Sequence, residues 1–117
     1  MAFHAWRHEE WAGLDPDAEA ANLDRGLAAM RAIDLEPVGF RPPGGRIGDG
    51  TAALLADRGL TYCSPAGSTA GLDDVVMLPF AWPDVDVFHV LPAFEGLRKH
   101  AGTDPEPGGP DAVRDTL

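Results

Sequence analysis

Basic residues, cysteines and long apolar runs are all scarce in this chain of 117 residues. Nine lysines and arginines stand against 19 aspartates and glutamates, which gives a formal net charge of −10. Because such a chain lacks the positive surface that holds a phosphate backbone or an anionic bilayer, we expect neither nucleic acid nor a membrane as its partner. No apolar run approaches the roughly 20 residues that span a bilayer.

The single cysteine, Cys63, excludes an internal disulfide and gives no sign of an oxidising compartment. The opening Met1-Ala2-Phe3-His4 does not have the pattern of a signal peptide, which predicts a cytoplasmic location by default. What the chain does have is a hydrophobic content of 44%, enough for the core of one domain or of part of one.

Helical and extended patterns alternate along the chain. Asp15-Pro16 is a typical helix start and predicts a helix over residues 16–33, with an apolar stripe of Ala20, Leu23, Leu27 and Met30. Further helices are expected over 51–58 and from Pro92 to Gly102, and strands over 38–40, 60–63 and 74–79. Since helices make the crossovers between parallel strands, this order predicts an α/β fold with a mainly parallel sheet.

The domain organisation follows from the same patterns. Residues 1–102 form a partial domain, and residues 103–117 are a Pro/Gly-rich segment followed by the start of a helix that is cut off. A metal ligand seldom lies within four residues of a free terminus. His4 is therefore either a chance histidine on a loose end or a residue whose preceding strand has been lost.

The histidine pair in His4-Ala-Trp-Arg-His8 is the first candidate site. On a helix, this spacing places two imidazoles on one face, where both can reach one divalent metal ion. A zinc peptidase is disfavoured, because Ala5 occupies the position of the catalytic glutamate. Glu9 and Glu10 follow too closely to be assigned as further ligands, and a surface pair beside a packed tryptophan is the alternative interpretation.

The second candidate site is Phe40-Arg41-Pro42-Pro43-Gly44-Gly45, which places an arginine at a strand end. Two prolines stiffen the loop and two glycines permit close backbone approach. Sites in α/β proteins lie at the carboxyl ends of strands, and a guanidinium there can hold a carboxylate in fixed geometry. The alternative is a rigid structural turn with an exposed Arg41.

Together these segments resemble the polysaccharide deacetylase (NodB-homology) family. The histidine segment is similar to the family motif H-[ST]-x-x-H, with Ala5 in place of Ser or Thr, and Arg41-Pro42-Pro43 to R-x-P, with Gly44 where an aromatic residue is common. The stretch from Leu78-Pro79-Phe80-Ala81-Trp82 to Asp84 and Asp86 also fits, so that the resemblance covers nearly the whole chain.

The resemblance implies a partial (β/α) barrel and a hydrolase that uses a divalent metal, commonly zinc. His4 and His8 would be two metal ligands, and Arg41 would orient a catalytic aspartate. Bound zinc would polarise the substrate carbonyl and lower the pKa of its water towards about 7. Trp82 with Asp84 or Asp86 would bind substrate at the mouth of the site, or else form a capped turn beside a core tryptophan.

Two family motifs have no counterpart in the chain. An Asp-Asp pair, which supplies the base and the third metal ligand, should precede the histidines, and a Leu-x-His, which supplies the acid, should follow. His89 is interpreted as a core or loop histidine and His100 as a helix C-terminal one. We therefore expect a deacetylase acting on N-acetyl or related amide or ester groups of a carbohydrate polymer, inactive as this fragment alone.

Two alternatives from other classes stay open. The first is a non-catalytic pseudoenzyme domain that binds carbohydrate or protein through Trp6, Trp11 and Trp82. The second is a small metal-binding protein that completes its ligand set by forming oligomers. The oligomeric state and the exact substrate are not predicted.

Overall fold

The computed structural model describes residues 1–67, 71–72 and 74–100, without the side chains of Asp86, Val87 and His100. The chain divides into two compact units, Met1–Pro79 and Phe80–Leu117. The predicted boundary at residue 102 and the predicted segment 103–117 lie outside the described residues and stay predictions.

A four-stranded parallel sheet organises the first unit. Its strands are β1 (Ala2–Phe3), β2 (Gly39–Phe40), β3 (Tyr62–Cys63) and β4 (Val76–Met77), in the order β1-β2-β3-β4. The predicted α/β class with parallel strands is confirmed, and sequential parallel strands are also how a (β/α) barrel is built. Strand β1 ends directly before His4, which therefore lies at a strand end.

Two helices make the crossovers between these strands. Helix α1 (Pro16–Arg31) connects β1 to β2, and helix α2 (Thr51–Asp57) connects β2 to β3. The predicted start of α1 is confirmed, since the Asp15 carboxylate accepts a hydrogen bond from Ala18 N at 2.8 Å. The helix ends at Arg31 rather than at residue 33.

The core lies between the sheet and these helices. One register row of the sheet supplies three buried side chains, those of Phe3, Phe40 and Cys63. They belong to the same hydrophobic cluster as Leu23, Leu27 and Leu55 of the two helices. Helix α1 packs closely against the sheet at Gly26, where a Cβ would lie 2.0 Å from the ring of Phe3. The burial of Cys63 raises the pKa of its thiol to about 12, which agrees with a structural rather than a reactive cysteine.

A buried polar network joins the two crossover helices. The Thr51 hydroxyl donates to Glu19 Oε2 at 2.9 Å and accepts from Gly48 N at 2.9 Å and from Trp11 Nε1 at 3.4 Å. Burial raises the pKa of the Glu19 carboxyl, and the hydrogen bond from Thr51 offsets part of that effect. Glu19 therefore links α1 to α2 through Thr51.

The second unit consists of short helical segments. These are α3 (Asp86–Val90), α4 (Glu95–His100) and two 3-10 turns, Trp82–Asp84 and Pro92–Phe94. His89 is buried and its Nε2 lies 2.7 Å from the Pro83 carbonyl oxygen, so it is a core histidine as predicted. No helix among the described residues is long and apolar enough to cross a membrane.

Candidate functional site

The candidate site lies at the carboxyl edge of the parallel sheet. The residues Phe3, Phe40, Cys63 and Met77 form one register row across the four strands. The next residue of each strand therefore lies at the same edge, and these four are His4, Arg41, Ser64 and Leu78. Main-chain hydrogen bonds continue the ladder through them, from Arg41 N to Phe3 O at 2.9 Å and from Ser64 N to Phe40 O at 2.8 Å.

A cleft of about 590 Å³ opens at this edge, on the side of the sheet away from α1 and α2. Its walls combine polar and apolar side chains: Ala2, His4, Arg41, Tyr62, Ser64, Leu78 and Pro79. The Tyr62 ring lies across Gly39, where a Cβ would be 2.1 Å from the ring. Gly39 thus creates the space in which the phenol forms one wall of the cleft.

The imidazole of His4 has a fixed orientation. Its Nδ1 lies 2.6 Å from the main-chain carbonyl oxygen of Arg41. A carbonyl oxygen can only accept, so Nδ1 must carry the proton, and the neutral ring keeps its lone pair on Nε2. Metal-bound histidines usually have this arrangement, in which one ring nitrogen donates to a carbonyl group and leaves the other for the metal.

The second histidine lies beside the first. The ring centroids of His4 and His8 are 4.9 Å apart, and the rings are tilted by 72°. The predicted helical face is wrong, because the segment is a loop in which Ala5 and His8 have positive φ angles of 63° and 60°. Each such non-glycine residue costs roughly 1–2 kcal/mol, so tertiary contacts must hold the loop.

Helix α1 supplies those contacts. Asn22 Oδ1 accepts a hydrogen bond from Trp6 N at 2.9 Å, and the guanidinium of Arg25 lies 4.7 Å from the centroid of the Trp6 ring. Within the loop, Glu9 Oε2 accepts from Arg7 N at 2.8 Å. Desolvation acts to raise the pKa of Glu9, but hydrogen bonds from the Arg7 main chain and the Asn22 side chain outweigh it and lower that pKa.

The side chain of Arg41 forms a hydrogen bond with Ser64, the residue that follows β3. Its Nη2 donates to Ser64 Oγ at 2.9 Å, and the Ser64 side chain is buried. The following prolines are buried too, while Gly44 has a φ angle of 74°. A side chain at position 44 would be strained by this backbone conformation, and its Cβ would lie 2.3 Å from Glu10 Oε1.

The side chains at this site supply only some of the ligands that a divalent metal ion needs. His4 and His8 are two suitable imidazoles, and the His4 tautomer leaves Nε2 available. Within the described ranges, no group of three or more His, Cys, Asp or Glu side chains could hold a metal ion. These two histidines can therefore form part of a metal site that needs at least one further ligand.

The other predicted site residues belong to the second unit, and their role in substrate binding stays a prediction. Trp82 is half-buried and packs against the rings of Phe80 and Phe94, with centroids 5.1 and 5.2 Å away. Asp84 is exposed, and the side chain of Asp86 lies outside those described. Trp11 is fully buried against Phe40, which removes it from the proposed sugar-binding tryptophans.

Two residues of the site were missed by the sequence analysis. Ser64 has the same relation to β3 that Arg41 has to β2, so the strand-end argument that selected the arginine applies equally to the serine. Asn22 has no comparable signal, because it lies inside an ordinary helical pattern and contacts the histidine loop 16 residues away.

Comparison with known proteins places this site in context. No family model and no curated protein matches the chain. The fold is similar to the crystal structure described as that of a "putative polysaccharide deacetylase from Mycobacterium smegmatis", with a TM-score of 0.69 and 25% sequence identity. The match covers 98% of this chain and 54% of that protein, so the chain spans about half the length of its structural neighbour. The predicted resemblance is thus confirmed, and the chain has a polysaccharide-deacetylase-like fold over nearly its whole length.

Proposed function

We propose that the chain carries the histidine and arginine part of the active site of a metal-dependent hydrolase. Its substrates would be carbohydrates bearing N-acetyl groups, or related amides and esters. The observation that supports this proposal most is the convergence of His4 and His8 beside Arg41 at the carboxyl edge of a parallel sheet. Similarity to the mycobacterial protein supports the same class of reaction.

The described side chains have separate roles in this proposal. His4 and His8 bind a divalent metal, for which zinc is the first candidate. When bound, the metal supplies Lewis acidity at the substrate carbonyl. The hydrogen bond to the Arg41 carbonyl keeps the proton on Nδ1 of His4, and the Arg41 guanidinium, steadied by Ser64, holds a carboxylate at the edge of the cleft.

Turnover by the chain alone should be low. The family's base and third ligand come from an Asp-Asp motif that precedes the histidines, and its acid comes from a Leu-x-His motif. No Asp-Asp pair precedes His4 in this sequence, and no Leu-x-His occurs in it. We therefore place the chemistry in a longer protein that contains this segment, with the present chain as the part that binds the metal.

Calorimetry with zinc and with cobalt tests this proposal directly. We expect one equivalent of metal to bind, and His4→Ala or His8→Ala to lose that binding, while His89→Gln in the second unit keeps it. An N-acetylated glucosamine oligomer should bind more tightly to the metal-loaded chain than to the metal-free chain, and its de-N-acetylated form should not show the difference. Metal binding that survives both alanine substitutions would contradict the proposal.

A second candidate is a non-catalytic carbohydrate-binding domain. The half-buried Trp82, which packs between Phe80 and Phe94, offers the aromatic surface that sugar rings stack on. This candidate predicts oligosaccharide affinity that is independent of metal, survives replacement of His4 and His8 by alanine, and is lost in Trp82→Ala. Release of acetate from the oligomer would exclude it.

A further inference from the structure

The histidine loop depends on a side chain that belongs to none of the motifs. Asn22 lies on α1, and its Oδ1 accepts the main-chain N–H of Trp6, midway between His4 and His8. Its side chain also lies close enough to the carboxylate of Glu9, the residue after His8, to lower the pKa of that carboxyl. A carboxylate can only accept, so in a hydrogen bond between these two side chains the Asn22 amide is the donor. One side chain thus holds the loop on both sides of His8.

This double contact explains how the loop keeps its unusual backbone. Ala5 and His8 both have the left-handed conformation that favours glycine, and a chain left to itself would avoid it. Arg25, one helical turn after Asn22, lies over the Trp6 ring and adds a second contact to the same side of the loop. The helix is itself fixed to the sheet where Gly26 meets Phe3, the residue before His4.

We propose that Asn22 is a positioning residue for the two histidines, which it serves by donating to Glu9 and accepting from Trp6. As a statement about metal binding, the proposal rests on the function proposed above. As a statement about the loop, it concerns the metal-free protein as well. An amide is required at this position, because an aspartate could not donate to Glu9 and a leucine could neither donate nor accept.

The test uses a reciprocal exchange of donor and acceptor. Asn22→Asp keeps the size of the side chain and the acceptor for Trp6 N–H, but places a second carboxylate against Glu9. We expect this variant to lose cobalt affinity by about tenfold or more, as substitution of residues that orient metal ligands commonly does. In N22D/E9Q the new glutamine amide can donate to the new aspartate, so affinity should return to within about threefold of the parent.

Two controls separate positioning from general loss of stability. Asp24→Asn lies two residues further along the same helix, is exposed, and breaks the pair with Arg58, so it should lower stability without changing metal affinity. Glu9→Ala removes the same contact from the other side and serves if Asn22→Asp fails to fold. It should weaken cobalt binding in the same direction.

A structural readout is measured without metal. Proton NOEs between the His4 and His8 rings should be present in the parent, lost in Asn22→Asp and restored in N22D/E9Q. If the parent binds no cobalt, the proposed function fails, while the NOEs still report on the role of Asn22. Parent-like NOEs and affinity in Asn22→Asp, or no recovery in the double variant, would overturn the inference.

Discussion

His4 donates its Nδ1 proton to the main-chain carbonyl of Arg41, so the first residue beyond β1 is bonded to the first residue beyond β2. The bond requires no side chain at position 41, because the acceptor is part of the backbone. The orientation of His4 therefore depends on the pairing of the two strands, and it should survive any substitution of Arg41 that leaves the sheet intact.

The tautomer of His4 is the first testable consequence. Nitrogen-15 chemical shifts and long-range proton–nitrogen couplings should show the proton on Nδ1 of neutral His4. His89 is the matched control, because its Nε2 contacts the Pro83 carbonyl oxygen and must carry the proton instead. The same tautomer at both residues would contradict the geometry described here.

The contact between Arg41 and Ser64 should be measurable as a coupling energy. Ser64→Ala removes a buried acceptor of the Arg41 guanidinium, and we expect the free energy of unfolding to fall by about 1–2 kcal/mol. A double-mutant cycle with Arg41→Ala, followed by urea denaturation, should give about 0.5–2 kcal/mol for this pair.

Thr61→Ala is the control for Ser64, because its exposed hydroxyl also forms one hydrogen bond, to the Val38 carbonyl oxygen. We expect a loss within about 0.5 kcal/mol there, as is usual for a surface position. A coupling near zero between Ser64 and Arg41 would mean that the serine does not steady the guanidinium.

Glu19 should make the stability of the chain depend on pH. Folding raises the pKa of this carboxyl above its ordinary value of 4.5, chiefly through burial, so the folded chain binds the proton more tightly than the unfolded chain does. The free energy of unfolding therefore falls as the pH rises from about 4.5 through the folded pKa. Glu19→Gln should remove this decline and be more stable than the parent at neutral pH.

The experiment on Glu19→Gln needs a control variant that has the same net charge as Glu19→Gln. Asp17→Asn also removes one negative charge from α1, but at an exposed position. Thermal unfolding from pH 4 to 8 should give parallel curves for this variant and the parent, whereas the curve for Glu19→Gln should diverge from them above about pH 4.5. Parallel curves for all three would show that Glu19 does not titrate differently in the folded state.

Two glycines should tolerate no side chain. Alanine at Gly26 would meet the Phe3 ring and alanine at Gly39 would meet the Tyr62 ring, each at close to 2 Å. We expect each substitution to cost about 1–3 kcal/mol, because the aromatic ring that the methyl group meets must move to admit it. Gly13→Ala, with nothing within 4 Å of the new Cβ, is the control and should be neutral or slightly stabilising.

The sequence predicted the helix boundary that is set by residues next to it in the chain. Asp15 and Pro16 start α1 where expected, and Gly59, two residues after α2, has a left-handed φ of 75°, which glycine adopts readily. The end of α1 was predicted two residues late, since no glycine marks it. Strand β1 was not expected, because two residues at the start of a chain carry no periodic pattern.

The candidate site was predicted in composition but not in geometry. The residue types and their order identified His4, His8 and Arg41, because parallel strands bring their carboxyl ends to one edge. The left-handed turns at Ala5 and His8 could not be predicted, since they depend on Asn22 and Arg25 of a helix that follows later. The burial of Glu19 likewise depends on Thr51, 32 residues away.

The register row of the parallel sheet has a consequence for folding kinetics. His4, Arg41 and Ser64 are neighbours only because three strands pair in parallel, and their separations of 37 and 23 residues must be closed before any of their contacts forms. Parallel pairing of this kind raises the contact order and slows folding. No short peptide from this chain can reproduce the edge of the sheet, so its polar contacts should form late, together with the cooperative closure of the ladder.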